Sequence, residues 1–188
     1  MDFLKYNKER VISKNISLLE ILFSDKVKDL IRCSLYKVVI GENFSSIEGA
    51  LLIELYSGRI IGLNGQDELN SIVTWLEKSE KGEVNEDYYL NDNEIYPYTL
   101  AEYSEDLSSM IINKKAAFID VVYQQYFSNY KYMELPNEVG IIVGFEEGGF
   151  MTLTHYLFNQ SNDLDLKITS NYPMIDTNLF KIQRISPQ

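Results

Sequence analysis

The sequence predicts an α+β fold: a single domain over residues 1–188, mainly an antiparallel sheet with two to four flanking helices. Three observations carry that expectation. Strand-sized apolar runs occur in pairs around Gly-containing turns, as in GALLIELYSGRIIGL at 49–63 and EVGIIVGFEEGGFMTLTHYLF at 138–158, the pattern of antiparallel hairpins. Other stretches space apolar residues for a helix, as Ile16, Leu19, Leu22 and Phe23 do. Finally, 188 residues that are 45% hydrophobic, with no repeat or Pro-rich linker, suit one core.

In chain order, Ser17 and the stripe from Ile16 to Phe23 predict a first helix, followed by a β-rich run LYKVVI at 35–40, with Lys26, Lys28 and Arg32 on a solvated side. The hairpin of 49–63 turns at Ser57 and Gly58, where glycine supplies the positive φ of a tight turn. Asn64, Gly65 and Asp67 then introduce a predicted helix to Glu80, with Leu69, Ile72, Val73 and Leu76 on one stripe, Trp75 at its edge, and Lys81 and Gly82 ending it. Turn formers such as Asn91, Asp92, Asn93 and Pro97 predict a long exposed loop at about 82–103. Ser104, Glu105 and Asp106 favour the start of a helix through Leu107, Met110 and Ile111 that extends toward Phe127, as one helix or two. Strands return at EVGIIVGF and FMTLTHYLF around the turn Glu146–Gly149, with shorter runs at 164–169 and 179–185.

Composition narrows the function classes. A net charge of −11 is repelled by nucleic-acid phosphates and by anionic lipid surfaces, so neither is expected as a direct partner. No apolar run approaches the roughly 20 residues that span a bilayer, and the start MDFLKYNKERVISKN lacks the apolar core of a signal peptide. With one cysteine the chain forms no internal disulfide, and the expected location is the cytoplasm.

Nothing in the sequence names a reaction. The single histidine, His155, shares a strand face with Met151, Leu153 and Leu157, a core environment rather than that of an acid–base catalyst with an oriented partner. Cys33, within IRCSLY, reads as a buried, inert thiol. HExxH, paired-cysteine and DxDxDG patterns are absent, as are GxSxG and phosphate-loop motifs. No catalytic residue, cofactor or metal ligand is therefore assigned. A two-carboxylate hydrolase drawing on Glu48, Glu54, Glu146 or Glu147 stays open, although their spacing selects no pair.

The distinctive feature is a stretch from Glu77 to Asp106 with ten carboxylates against two lysines, interleaved with Tyr88, Tyr89, Tyr96, Tyr98 and Tyr103. A charge run alone is a solvated face. Tyrosines add what a solubilising loop does not need: rigid anchors with a hydrogen-bonding tip and little side-chain entropy to lose. Some of them could instead pin the loop to the domain. Clustered carboxylates project a field over about a Debye length, roughly 8 Å at physiological salt, and act mainly on association rate and partner choice. The expected partner is a basic protein. The residues expected at its contact are Glu86, Asp87, Asp92 and Glu94 as charge partners, with Tyr88, Tyr89, Tyr96 and Tyr98 as packing anchors.

In size, charge and the acidic, aromatic stretch EVNEDYYLNDNEIYPYTLAEYSED, the chain resembles the immunity proteins of bacterial polymorphic toxin systems, including contact-dependent growth inhibition. The resemblance implies a cytoplasmic, non-enzymatic protein that neutralises a cognate toxin domain by covering its active or substrate-binding surface. A basic toxin suggests a nuclease, with carboxylates imitating phosphates. An intracellular regulatory or scaffold module with an ordinary partner is the alternative.

Overall fold

The structure is a computed structural model and describes residues 8–38, 43–85, 89–103, 105–125, 133–155 and 164–187. Helix α1 (Ile16–Ser24) precedes strands β1 (Val27–Ser34), β2 (Ala50–Leu55), β3 (Ile60–Gln66), β4 (Ser71–Lys78) and β5 (Tyr96–Thr99). Two short helices, α2 (Leu100–Tyr103) and α3 (Glu105–Ile111), lead into β6 (Ala116–Gln124), β7 (Glu138–Phe145), β8 (Phe150–His155), β9 (Leu164–Thr169) and β10 (Phe180–Ile185). The strands form two five-stranded antiparallel sheets, ordered β4-β3-β2-β1-β5 and β10-β6-β7-β8-β9. Their inner faces meet in one core that includes Leu30, Leu51, Ile53 and Ile61 from the first sheet and Ile119, Ile141, Val143 and Leu153 from the second. Leu19 and Leu22 of α1 and Ile111 of α3 join the same core, α1 packing on β4 and β6 and α3 on β8 and β9. This is the α+β arrangement that the alternating apolar runs predict.

The two sheets are topologically equivalent. In each, four strands form a meander, and the fifth returns from the far edge to lie beside the first. The correspondence extends to detail. The first strand carries a bulge at the same step, with Val27 opposite Leu55 and Asp29 opposite Glu54 in one sheet, and Ala116 opposite Phe145 and Phe118 opposite Gly144 in the other. The Tyr56 amide bonds the Lys26 carbonyl as the Glu146 amide bonds the Lys115 carbonyl, and the Gly58 amide bonds Leu55 as Gly148 bonds Phe145. Equivalent core positions keep apolar character but not identity, as in Leu51 and Ile141, Ile53 and Val143, or Ile61 and Met151. An apolar slot accepts any side chain of roughly suitable volume, which explains a duplicated topology with no visible sequence repeat.

Three expected elements differ. The helix expected from Asn64 to Glu80 is instead the end of β3, a one-turn 3₁₀ segment at Asp67–Leu69, and strand β4. Ile72, Val73, Thr74 and Trp75 are β-branched or aromatic and buried in succession, because both faces of that strand are covered; the helical stripe was coincidental. The helix expected to run toward Phe127 stops at Ile111, with Asn113 in the left-handed region at φ 67° before β6 starts. The strand expected at 35–40 lies earlier, at Val27–Ser34, and Leu35–Val38 fall outside it; Val39 and Ile40 lie outside the described residues. Charged residues within VKDLIRCS disguised it. Arg32 is not solvated but fully buried, its Nε donating to the Ile47 carbonyl at 2.7 Å and its Nη2 to the Leu164 carbonyl of the opposite sheet at 2.9 Å. A buried guanidinium needs such acceptors.

Candidate partner-binding surface

The outer face of the first sheet is apolar, presenting Ile31, Cys33, Ala50, Leu52, Ile60, Val73 and Trp75. Because β4 and β5 lie on opposite edges of that sheet, the chain joining them must cross this face. The acidic, tyrosine-rich segment makes that crossing. After a tight return in which Ser79 and Glu83 exchange bonds and Val84 bridges Lys78, Tyr89, Leu90 and Ile95 pack onto the outer apolar cluster. The segment is therefore a strap over a second core. The expected loop at 82–103 also ends earlier, since Tyr96–Thr99 forms β5 against β1, and Leu100–Tyr103 is helical.

A latch at Glu77 holds the strap. Its carboxylate is fully buried and accepts the Trp75 indole N–H at 2.5 Å through Oε2 and the Tyr89 backbone amide through Oε1. The Tyr89 ring stacks on Trp75 with centroids 5.5 Å apart and planes 30° from parallel. Gly62 creates the space: a Cβ there would lie 2.1 Å from the indole Cε2. Burial, followed by the charge of Glu77, raises the Tyr89 phenol above its ordinary value. The same two causes push the Cys33 thiol up to about 12, so this buried cysteine stays protonated and inert.

The residues expected at the partner contact take different positions. Asp92 and Glu94 are exposed, and the Glu94 amide donates to the Asp92 carboxylate at 2.9 Å, fixing the turn that carries them. Tyr96 is half-buried, with the Lys37 ammonium 5.5 Å from its ring centroid. Tyr98 is half-buried too; it packs edge-on against Tyr103 at 5.9 Å, and its hydroxyl accepts the Val38 amide at 2.8 Å. Tyr89 and Tyr98 thus pin the strap and β5 to the domain. Glu86, Asp87 and Tyr88 lie outside the described residues. Glu77, counted by sequence within the acidic run, belongs to the interior. The signal for it was its place two residues after Trp75, on one face of a strand if that stretch is read with period two.

In the second sheet the chain between β9 and β10 also joins opposite edges, and it is tied down at Tyr172. Tyr172 packs edge-on against Phe150 at 5.8 Å and donates its hydroxyl to Asp120 at 2.8 Å. Buried Asp120 also takes a bidentate pair from Arg184 at 2.8 and 2.7 Å, the geometry that suits guanidinium to carboxylate. His155 is fully buried as expected, its Nε2 3.4 Å from Asp67 and its ring pressed against Gly65. Among the described residues no three His, Cys, Asp or Glu side chains are grouped to hold a metal, and no helix is long and apolar enough to cross a membrane. A cleft of about 440 Å³ beside β4 is lined by residues including Arg10, Trp75, Ser79, Glu83 and Asn85, with Glu83 its single carboxylate among the described residues.

Comparison with family models, with curated proteins and with solved structures gave no match for this chain.

Proposed function

We propose that this protein is a non-catalytic cytoplasmic binder that neutralises a basic toxin domain, a nuclease by its charge, by covering that domain's active or substrate-binding surface. The latch on the acidic strap carries this reading. Asp92 and Glu94 are exposed on a segment that Tyr89, Leu90 and Ile95 fasten to the sheet below. Carboxylates on a pre-ordered support lose less entropy on binding than the same groups on a free loop, and a local field of one sign speeds encounter with a basic surface. Several interior groups that could do chemistry are engaged in the fold: Glu77 in the strap, Asp120 with Arg184, and Cys33 within the outer cluster.

Co-expression with the C-terminal domain encoded by the adjacent reading frame tests the proposal. Growth restored by the intact protein, and restored less fully at limiting expression when Asp92→Asn and Glu94→Gln are combined, is the expected result. Growth arrest that the intact protein does not relieve would contradict it.

A further inference from the structure

The end of β1 places two large apolar side chains beside the acidic strap. Ser34 pairs with Tyr96 across β1 and β5, so residues 35–38 leave the sheet next to the point where the strap enters β5. Two contacts fix that exit: the Val38 amide bonds the Tyr98 hydroxyl at 2.8 Å, and Lys37 lies over the Tyr96 ring. Held in this way, Leu35 is 64% exposed and Tyr36 70% exposed. Isolated surface hydrophobics need no explanation, but adjacent ones on an anchored turn, bordered by charge, have the composition of an interface centre and rim. Asp92 and Glu94, the exposed carboxylates of the strap, precede Tyr96 by four and two residues.

We propose that Leu35 and Tyr36 form the apolar centre of the partner-binding face, beside the strap that carries Asp92 and Glu94. The matching surface is a recess on a basic protein, apolar at its floor and rimmed by Lys or Arg. This rests on the binding function proposed above and adds where affinity arises: the aromatic and aliphatic centre sets the dissociation rate, and the carboxylates set the association rate.

The test measures association and dissociation rates of the full chain with an inactivated form of the adjacent-frame toxin domain, over a range of salt. Leu35→Ser with Tyr36→Ser is expected to weaken binding about 100-fold, mainly through faster dissociation and with the salt dependence retained. Asp92→Asn with Glu94→Gln is expected to slow association and flatten its salt dependence. Tyr36→Lys, which sets a like charge against the basic rim, is expected to weaken binding more than Tyr36→Ser. A wild-type urea midpoint for each variant excludes misfolding as the cause. If Leu35→Ser with Tyr36→Ser binds within about 3-fold of wild type, the centre lies elsewhere and this inference is overturned while the binding function stands. If wild type itself does not bind the domain, both fall.

Discussion

Gly62→Ala is the most direct perturbation of the strap, because it acts through geometry without touching the latch residues. The added Cβ would lie 2.1 Å from Trp75 Cε2, 2.3 Å from Cζ2 and 2.6 Å from Nε1, so the indole must move. Overpacking of this kind costs about 1–3 kcal/mol. Moving the indole also gives up its bond to the buried Glu77 carboxylate, of a class worth about 1.5–3 kcal/mol, and the Tyr89 stack, worth about 0.5–1.5 kcal/mol. With partial relaxation the expected net loss is about 2–4 kcal/mol. In a chain of this size that lowers the melting temperature by roughly 4–16 °C. Urea and thermal unfolding measure the loss, and since Trp75 is the only tryptophan, native-state emission reports the latch alone and should shift to longer wavelength. Unchanged emission together with a wild-type urea midpoint would refute the latch.

Other outcomes follow from neighbouring groups. Cys33, its thiol pushed up to about 12 by burial and then by Glu77, should resist a thiol reagent in the native protein at mildly alkaline pH and react fully once unfolded; rapid native labelling would contradict its burial. Tyr172→Phe removes the hydroxyl bonded to Asp120 and should cost about 1–2 kcal/mol in urea unfolding, loosening the second strap. Burial raises the Glu138 carboxyl above its ordinary 4.5, against a smaller opposing effect of its bond from the Ser13 amide. The folded state therefore binds that proton more tightly than the unfolded state. Its stabilising contribution is full below pH 4.5 and declines as pH rises through the raised value. The stability of wild type relative to Glu138→Gln should accordingly fall as pH rises from about 4.5 through the raised value; a difference constant with pH would contradict the assignment.

The hairpins were legible because their turn residues and two-residue alternation are local signals: Ser57 and Gly58, and Glu146 to Gly149, lie in the turns where the pattern put them. Strand β4 is covered on its inner face by the sandwich core and on its outer face by the strap, so its apolar residues do not alternate and Ile72, Val73 and Leu76 mimicked a helical stripe. Buried charge misled in the same way. Arg32 and Glu77 find their partners in Leu164 and Tyr89, 132 and 12 residues along the chain, and neither pairing is visible in local sequence. The acidic tyrosine stretch stood out by composition. Its division of labour, with Tyr89 and Tyr98 holding the fold and Asp92 and Glu94 facing solvent, depended on which apolar face the segment crosses. Leu35 and Tyr36 were missed because a β-rich run was read as strand.

Backbone hydrogen exchange of the full chain, alone and with the inactivated adjacent-frame toxin domain, shows which face of the protein the partner covers. New protection is expected in residues 35–38 and 92–99, with the strap at 170–179 unchanged. Protection confined to the second sheet, or no protection at a toxin concentration that saturates binding, would contradict it.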